Sequence, residues 1–143
     1  MLKSVSFATL IDPPKSNIIM RDPDVIYSTG YGDVLYYIEL FEHSLFFYSN
    51  PINVLNAEYH ANRNLIMRGY QTVEELLQFL GLPERAYKDI IAEDPGWDQY
   101  TLAAEWDTGW LDFVHGSALT RSGKPLVVIS VYMTPYNFGD PPE

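Results

Sequence analysis

Cysteine is absent from this chain of 143 residues. Without it the protein cannot form a disulfide, use a thiolate nucleophile or build a zinc site that needs thiolate ligands. A cysteine-free sequence fits a reducing compartment, and the first twelve residues carry one lysine and no long apolar stretch, unlike a signal peptide. We therefore expect a cytoplasmic protein.

Basic residues and long apolar runs are also scarce. Nine Lys and Arg against 19 Asp and Glu give a net charge of −10 and a pI of about 4.5. Binding to a phosphate backbone draws its affinity from Lys and Arg, so direct nucleic-acid binding is not expected. The longest apolar run, Leu126 to Met133, is interrupted by Ser130 and is far shorter than the ~20 residues that cross a membrane. Neither nucleic acid nor membrane is a predicted partner.

Catalytic motifs are missing as well. The chain has three histidines, and it has no Gly-x-Ser-x-Gly elbow, P-loop or Gly-x-Gly-x-x-Gly fingerprint. We expect no cofactor and no metal site. The weak catalytic candidates are Asp107, Asp112 and His115, but strand geometry puts Asp112 and His115 on opposite faces, so they cannot share an ion without a bulge.

A hydrophobic content of 47% is enough for one domain with a substantial core, which we place over residues 1–143, with 1–20 and 137–143 expected to be loosely ordered. The clearest local signal is a helix between Gly69 and Pro83. Thr72 can cap its first turn while Glu75 reaches back to the Thr72 amide, and Gly81 ends it.

Strand patterns lie on both sides of a helical segment. Apolar and aromatic runs predict a first hairpin between residues 25–27 and 34–38, a buried strand ending at Ser49, and a last hairpin between 109–120 and 125–134. The second arm of that last hairpin is almost continuously apolar, so we expect it to be central and covered on both faces.

Three helices are predicted between the hairpins. The first spans about 15 residues from Ile52, and the others are 73–80 and 83–92. The apolar side predicted for the first helix consists of Ile52, Leu55, Ala57, Tyr59, Ala61, Leu65 and Ile66. Residues 97–106 fit either a short helix or a loop. These elements predict an α+β fold, with an antiparallel sheet of about four strands and about three helices on one face.

Charge and tyrosine are unevenly distributed. Residues 84–112 contain eight acids and two bases, and therefore carry −6 of the total charge of −10. Four tyrosines gather around the first predicted hairpin, and exposed tyrosine is favoured at protein interfaces. These features predict an interaction surface composed of Glu84, Asp89, Glu93, Asp94, Asp98, Tyr27, Tyr31 and Tyr36.

The string AEYHANRNLIMRGYQTVEELLQFLGLPERAY from Ala57, followed by Gly96-Trp97 and by WLDFVH from Trp110, resembles an uncharacterised family of small acidic proteins from bacterial mobile elements and phages. The resemblance spans roughly residues 50–135 and implies a genomic context without an activity. Its polar positions are Glu58, His60, Asn62, Arg63, Asp112 and His115. A hydrogen-bond network between helix and sheet that fixes the fold is the simplest role for the first four.

Together these patterns favour a non-enzymatic interaction or accessory protein, with anti-defence as one such role, that binds another protein through its acidic and aromatic surface. A small hydrolase or metal-binding enzyme using carboxylates and histidine is the alternative. A self-associating structural subunit, and hence a homo-oligomer, is a third.

Overall fold

The computed structural model describes residues 19–40, 43–92, 95–106, 109–131 and 135–137. Within these ranges the fold is α+β. The strands are β1 (Ile19–Met20), β2 (Tyr27–Ser28), β3 (Val34–Leu40), β4 (His43–Ser49), β5 (Tyr70–Thr72), β6 (Pro95–Asp98), β7 (Phe113–Thr120), β8 (Pro125–Val131) and β9 (Tyr136–Asn137). The helices are α1 (Pro51–Arg68), α2 (Val73–Leu80) and α3 (Gln99–Trp106), with a 3-10 turn at Glu84–Ala86. Among these described helices, none has both the length and the apolar character to cross a membrane.

The main sheet has six strands in the order β1-β7-β8-β3-β4-β2, and β5-β6-β9 form a smaller sheet. β3 and β4 are an antiparallel hairpin, and β7 and β8 are a second one, as predicted for the end of the chain. A parallel pairing of β3 with β8, in which Tyr36 lies beside Val127, joins the two hairpins. The predicted antiparallel sheet of about four strands is therefore wrong, because a parallel pairing between distant segments leaves no local signal.

The first predicted hairpin does not form. Tyr27 and Ser28 pair in parallel with Phe47 and Tyr48 of β4, and β3 takes β4 as its antiparallel partner. The glycine-rich stretch instead packs against the end of β4, since a Cβ on Gly32 would lie 2.6 Å from the Ser49 carbonyl oxygen. β3 pairs with β4 because that seven-residue strand offers a longer partner than residues 25–27.

The first two helices begin and end at clear caps. The Asn50 side chain accepts a hydrogen bond from the Asn53 amide at the start of α1. At α2 the Thr72 hydroxyl accepts from the Glu75 amide, and the Glu75 carboxylate accepts from the Thr72 amide. Gly81 ends α2 with a φ of 88°, and the Tyr31 ring packs so closely there that a Cβ would meet it at 2.8 Å. The predicted capped helix is confirmed.

The third predicted helix, residues 83–92, is wrong. Only the 3-10 turn Glu84–Ala86 forms, and the segment continues as turns with hydrogen bonds between residues three or four apart, such as those from the Ile90 and Ile91 amides to the Tyr87 carbonyl. A spacing of three satisfies 3-10 turns as well as an α-helix, so the apolar pattern did not separate them. The third α-helix is α3, which begins after Asp98, whose carboxylate accepts from the Thr101 amide at 3.1 Å.

Apolar side chains are buried on both faces of the main sheet. On one face Tyr36, Ile38, Phe47 and Ile129 join residues of α1, α2 and the smaller sheet in the larger core. On the other face the smaller cluster contains Leu35, Tyr37, Phe46, Ala118 and Leu126. β8 contributes to both and lies between β7 and β3, so the prediction of a central strand covered on both faces is confirmed.

We expect Thr72→Ala to lower the free energy of unfolding by about 1 kcal/mol, because the Glu75 amide loses its hydrogen-bond acceptor at the start of α2. Urea denaturation monitored by circular dichroism measures the change. Thr72→Ser keeps the hydroxyl and should retain most of the stability. Equal losses in the two variants would contradict a stabilising cap.

Candidate functional site

Two side chains on α1 hold the helix against the start of β7. The Glu58 carboxylate accepts a hydrogen bond from the Phe113 amide at 2.6 Å. Asn62, one turn later, donates to the Leu111 carbonyl at 2.9 Å and accepts from the Leu111 amide at 2.6 Å. Residues four apart share one side of a helix, so these three bonds fix how α1 is rotated about its axis. We call Glu58 and Asn62 the polar brace.

The other two residues of the predicted polar network lie elsewhere. His60 is exposed, and its ring is 5.4 Å from the ring of Phe79 on α2. Arg63 is exposed on the outward side of α1. The structure therefore brings Glu58 and Asn62 together at the backbone of residues 111–113 and leaves His60 and Arg63 outside that arrangement.

The buried side of α1 is made of small or medium residues. Val54, Ala57, Ala61 and Leu65 are all buried in the larger core. The alanines allow the helix to approach the sheet closely enough for the polar brace to reach backbone atoms. Ile52, Tyr59 and Ile66 of the same helix lie on another side.

Three large apolar side chains of α1 face solvent. Ile52, Tyr59 and Ile66 are 67%, 62% and 61% exposed, although their spacing predicted that they point inward. The prediction is wrong for these three residues and is confirmed for Ala57, Ala61 and Leu65. The helix α1 has two apolar sides, and the polar brace selects the side with the alanines. We call Ile52, Tyr59 and Ile66 the outer stripe; Met67, at 69% exposure, lies close to its end.

Polar contacts on the opposite flank of α1 also hold the helix. Asn53 donates to the Leu80 carbonyl of α2 at 3.2 Å, and Asn64 donates to the Gln71 side chain in β5 at 2.8 Å. With the polar brace on the β7 side, α1 is anchored on both flanks. The outer stripe is therefore presented on a helix held in place along most of its length.

The surroundings of the outer stripe lack negative charge from α1 itself. Glu58 is the only acid in the helix, and it belongs to the polar brace. Arg68 is paired with Glu75 at 2.6 Å, and Arg63 supplies a further positive charge. On a chain of net charge −10, the outward side of α1 thus combines exposed apolar residues with one arginine and no carboxylate of α1.

The catalytic candidates do not form an acid–base site in the described residues. Asp107 lies outside them. Asp112 directly precedes β7, and His115 is 5% exposed on the face of β7 that joins the larger core. Neither imidazole nitrogen has a hydrogen-bond partner there. Over the same part of the chain, no group of three or more His, Asp and Glu side chains is arranged to hold a metal ion.

Burial dominates the electrostatics of the β7 face. It lowers the pKa of His115 below the ordinary value of 6.5, and the negative charge of Asp112 opposes this only in part. Burial also raises the pKa of Tyr36 to about 12. The Tyr36 hydroxyl and the Ser117 hydroxyl, on the same sheet face, also lack partners within the described residues. A neutral, enclosed imidazole is poorly placed to exchange protons with a substrate.

The predicted acidic and tyrosine surface is only partly assembled. Tyr36 is fully buried and stacks on Phe47 with ring centroids 5.6 Å apart, so placing it on the surface is wrong. A tyrosine on a central strand is indistinguishable by pattern from one on an exposed hairpin. Asp98 caps α3, and Tyr31 packs at Gly81 while half of its side chain stays exposed. Glu84 and Asp89 are exposed, and Glu93 and Asp94 lie outside the described residues.

A cleft of about 260 Å³ opens beside the first half of β4. It brings Tyr27 and Asp89 of the predicted surface together with both arginines of that region. The Arg85 guanidinium lies 5.8 Å from the Tyr27 ring centroid, and the Arg21 guanidinium lies 5.3 Å from that of Phe46. The lining residues are Arg21, Asp24, Val25, Tyr27, His43, Ser44, Leu45, Phe46, Arg85, Ala86, Asp89 and Ile90. Charges of both signs line the cleft, which selects neither an anion nor a cation.

We expect Asn62→Ala to lower the free energy of unfolding by about 1–3 kcal/mol, because the amide and carbonyl of Leu111 both lose their partner. Thermal and urea unfolding measure it. Asn56→Ala is the matched control, since Asn56 is an exposed asparagine of the same helix. Equal effects at the two positions would contradict the bracing role.

We expect His115→Phe to be at least as stable as the parent protein at neutral pH, because it removes two buried nitrogens without partners. The folded protein disfavours the imidazolium, whereas the unfolded chain binds the proton near pH 6.5, so the parent should lose stability as the pH falls below 6.5. The urea midpoints of the parent and of His115→Phe, measured above and below pH 6.5, test both expectations. If the stability of His115→Phe falls with pH as that of the parent does, His115 is not the cause of the pH dependence.

Comparison with known proteins places the chain in a family. A model described as a family of unknown function, DUF6353, matches residues 12–138. No curated protein matches the chain significantly. No solved structure does so either. The origin of the relatives in mobile elements and phages stays a prediction from the resemblance. Because the match covers most of the sequence, the chain belongs to DUF6353, a family of unknown function.

Proposed function

We propose that this protein is non-enzymatic and acts by binding a protein partner through the outer stripe of α1. The single observation that carries the proposal is the exposure of Ile52, Tyr59 and Ile66, each above 60%, along one side of an 18-residue helix. Exposed apolar side chains in a row cost solubility, and contiguous apolar surface marks sites of association. Tyrosine is also among the residues that dominate binding energy at interfaces.

The rigidity of α1 supports this function. The polar brace and the contacts of Asn53 and Asn64 hold the helix before any partner arrives. A binding surface that is already ordered loses little conformational entropy on association. An amphipathic helix with an apolar outward side fits helix-in-groove and helix–helix recognition, in which residues at regular spacing serve as anchors.

The acidic surface and the hydrolase are less well supported. Asp98 is engaged at the start of α3 and Tyr36 is in the core, which leaves few members of the predicted surface to act together. His115 is enclosed and its pKa is lowered, so it is a poor general base for a substrate in solvent. The accessory and anti-defence roles stay predictions that are compatible with a binding protein.

The test is affinity capture with the tagged protein and with a variant carrying Ile52→Ser, Tyr59→Ser and Ile66→Ser. We expect the parent to retain a specific protein at low and high salt, since apolar contacts are not screened. The triple variant should retain at least about tenfold less, as truncating central interface anchors does. Quantitative mass spectrometry of the retained proteins measures this.

Two control baits separate the alternatives. Ile19→Ser with Val25→Ser removes exposed apolar side chains from β1 and from the cleft beside β4, and should leave capture unchanged. Glu84→Gln with Asp89→Asn removes acidic charge from the earlier predicted surface. If this second control loses the partner while the triple outer-stripe variant keeps it, the acidic surface is the binding site and the proposal is wrong.

A further inference from the structure

We infer that the partner of the outer stripe is a second copy of this chain, joined by two antiparallel α1 helices around a two-fold axis at Tyr59. This inference rests on the proposed function and names its partner. It commits to a homodimer in which each α1 helix packs along the other and Tyr59 meets the same residue of the second copy.

The spacing of the outer stripe is symmetric about Tyr59. Ile52 precedes Tyr59 by seven residues and Ile66 follows it by seven, so the three share one side of the helix with Tyr59 at the centre. If two such helices run antiparallel with Tyr59 on the axis, Ile52 of each copy lies against Ile66 of the other. An isologous interface requires this kind of self-complementarity.

The position of the stripe within α1 agrees with that arrangement. The helix spans Pro51–Arg68, so Tyr59 lies at its middle and both ends of each helix overlap with the other copy. The three residues extend along about 21 Å of helix at a rise of ~1.5 Å per residue. Leu55 then faces Arg63 of the second copy, whose aliphatic stem can lie over it while its charge stays in solvent.

Electrostatics favours this face over others for pairing two acidic chains. Each copy carries −10, so surfaces rich in carboxylates repel one another. The outward side of α1 contributes no acid, since Glu58 is held in the polar brace. Antiparallel helices also place opposite dipole ends together. Salt screens the remaining long-range repulsion between the two copies, so the dissociation constant of the dimer should fall as the salt concentration rises.

The interface is one helix long, which is small among specific interfaces. We therefore expect a reversible dimer with a dissociation constant on the order of 10 µM. Sedimentation equilibrium over a concentration series, at low and at high salt, should show monomer converting to dimer. The conversion from monomer to dimer should occur at a lower protein concentration when the salt concentration is high.

Charge substitution at the axis gives a decisive test. Tyr59→Glu places two negative charges against each other across the two-fold axis, and Tyr59→Lys places two positive ones. Each variant alone should dimerise at least about tenfold more weakly than the parent. An equimolar mixture of the two should recover association. Val25→Glu is the control, because Val25 is exposed at the cleft beside β4 and not on α1, and it should not weaken the dimer.

Cysteine cross-linking tests the direction of the helices, and the chain has no cysteine to interfere. A mixture of Ile52→Cys and Ile66→Cys proteins should cross-link to a mixed dimer with a short bismaleimide more efficiently than either variant alone. Tyr59→Cys should cross-link to itself. Because all three positions are exposed, these variants should fold, which circular dichroism checks.

The outcomes separate this inference from the proposed function. A monomer at every concentration and salt overturns the dimer, and so does a dimer that Tyr59→Glu and Tyr59→Lys leave intact. Failure of the mixed variants to recover association overturns the two-fold axis at Tyr59. If the protein is monomeric but the outer stripe still captures a different protein, the proposed function stands without the dimer. If it neither dimerises nor captures a partner, both fail.

Discussion

The hydrogen bonds from Glu58 and Asn62 to the backbone of residues 111–113 are the constraint on which the rest of the arrangement depends. They join the long helix to the start of β7, and they satisfy the amide and carbonyl of Leu111 and the amide of Phe113, the first residue of that strand. The alanines of α1 allow this close approach, and the asparagines on the opposite flank hold the helix to α2 and β5. Polar pairing, more than apolar bulk, therefore sets the orientation of α1.

Local signals in the sequence were reliable where one segment contained all its partners. The capped helix α2 was predicted with its ends and the last hairpin with its turn, because the cap residues and the Gly-containing turn lie within a few positions of one another. The parallel pairings of β1, β2 and β3 were not predicted, since each joins segments far apart in the chain. The 3-10 segment after Pro83 was missed because its spacing of three mimics a helix.

The candidate site was harder to predict for a physical reason. The helical pattern took Ile52, Tyr59 and Ile66 as inward together with Ala57, Ala61 and Leu65, because it does not separate two apolar sides of one helix. The information that reverses this choice is the reach of Glu58 and Asn62 to a backbone about fifty residues later, which no helical pattern contains. The seven-residue spacing was visible in the sequence, and together with the two alanines it was the available sign of a second apolar side. The resemblance named Glu58 and Asn62 without indicating what they bind.

The parallel pairing of β3 with β8 also determines when the protein can fold. Tyr36 lies beside Val127, so the centre of the main sheet closes only after Val127 has left the ribosome. The helices α1 and α2 can form earlier from local contacts, but the sheet face that buries them is incomplete until the last hairpin is made. During synthesis the nascent chain therefore exposes apolar strands whose partners do not yet exist, and its high negative charge helps to keep those intermediates apart.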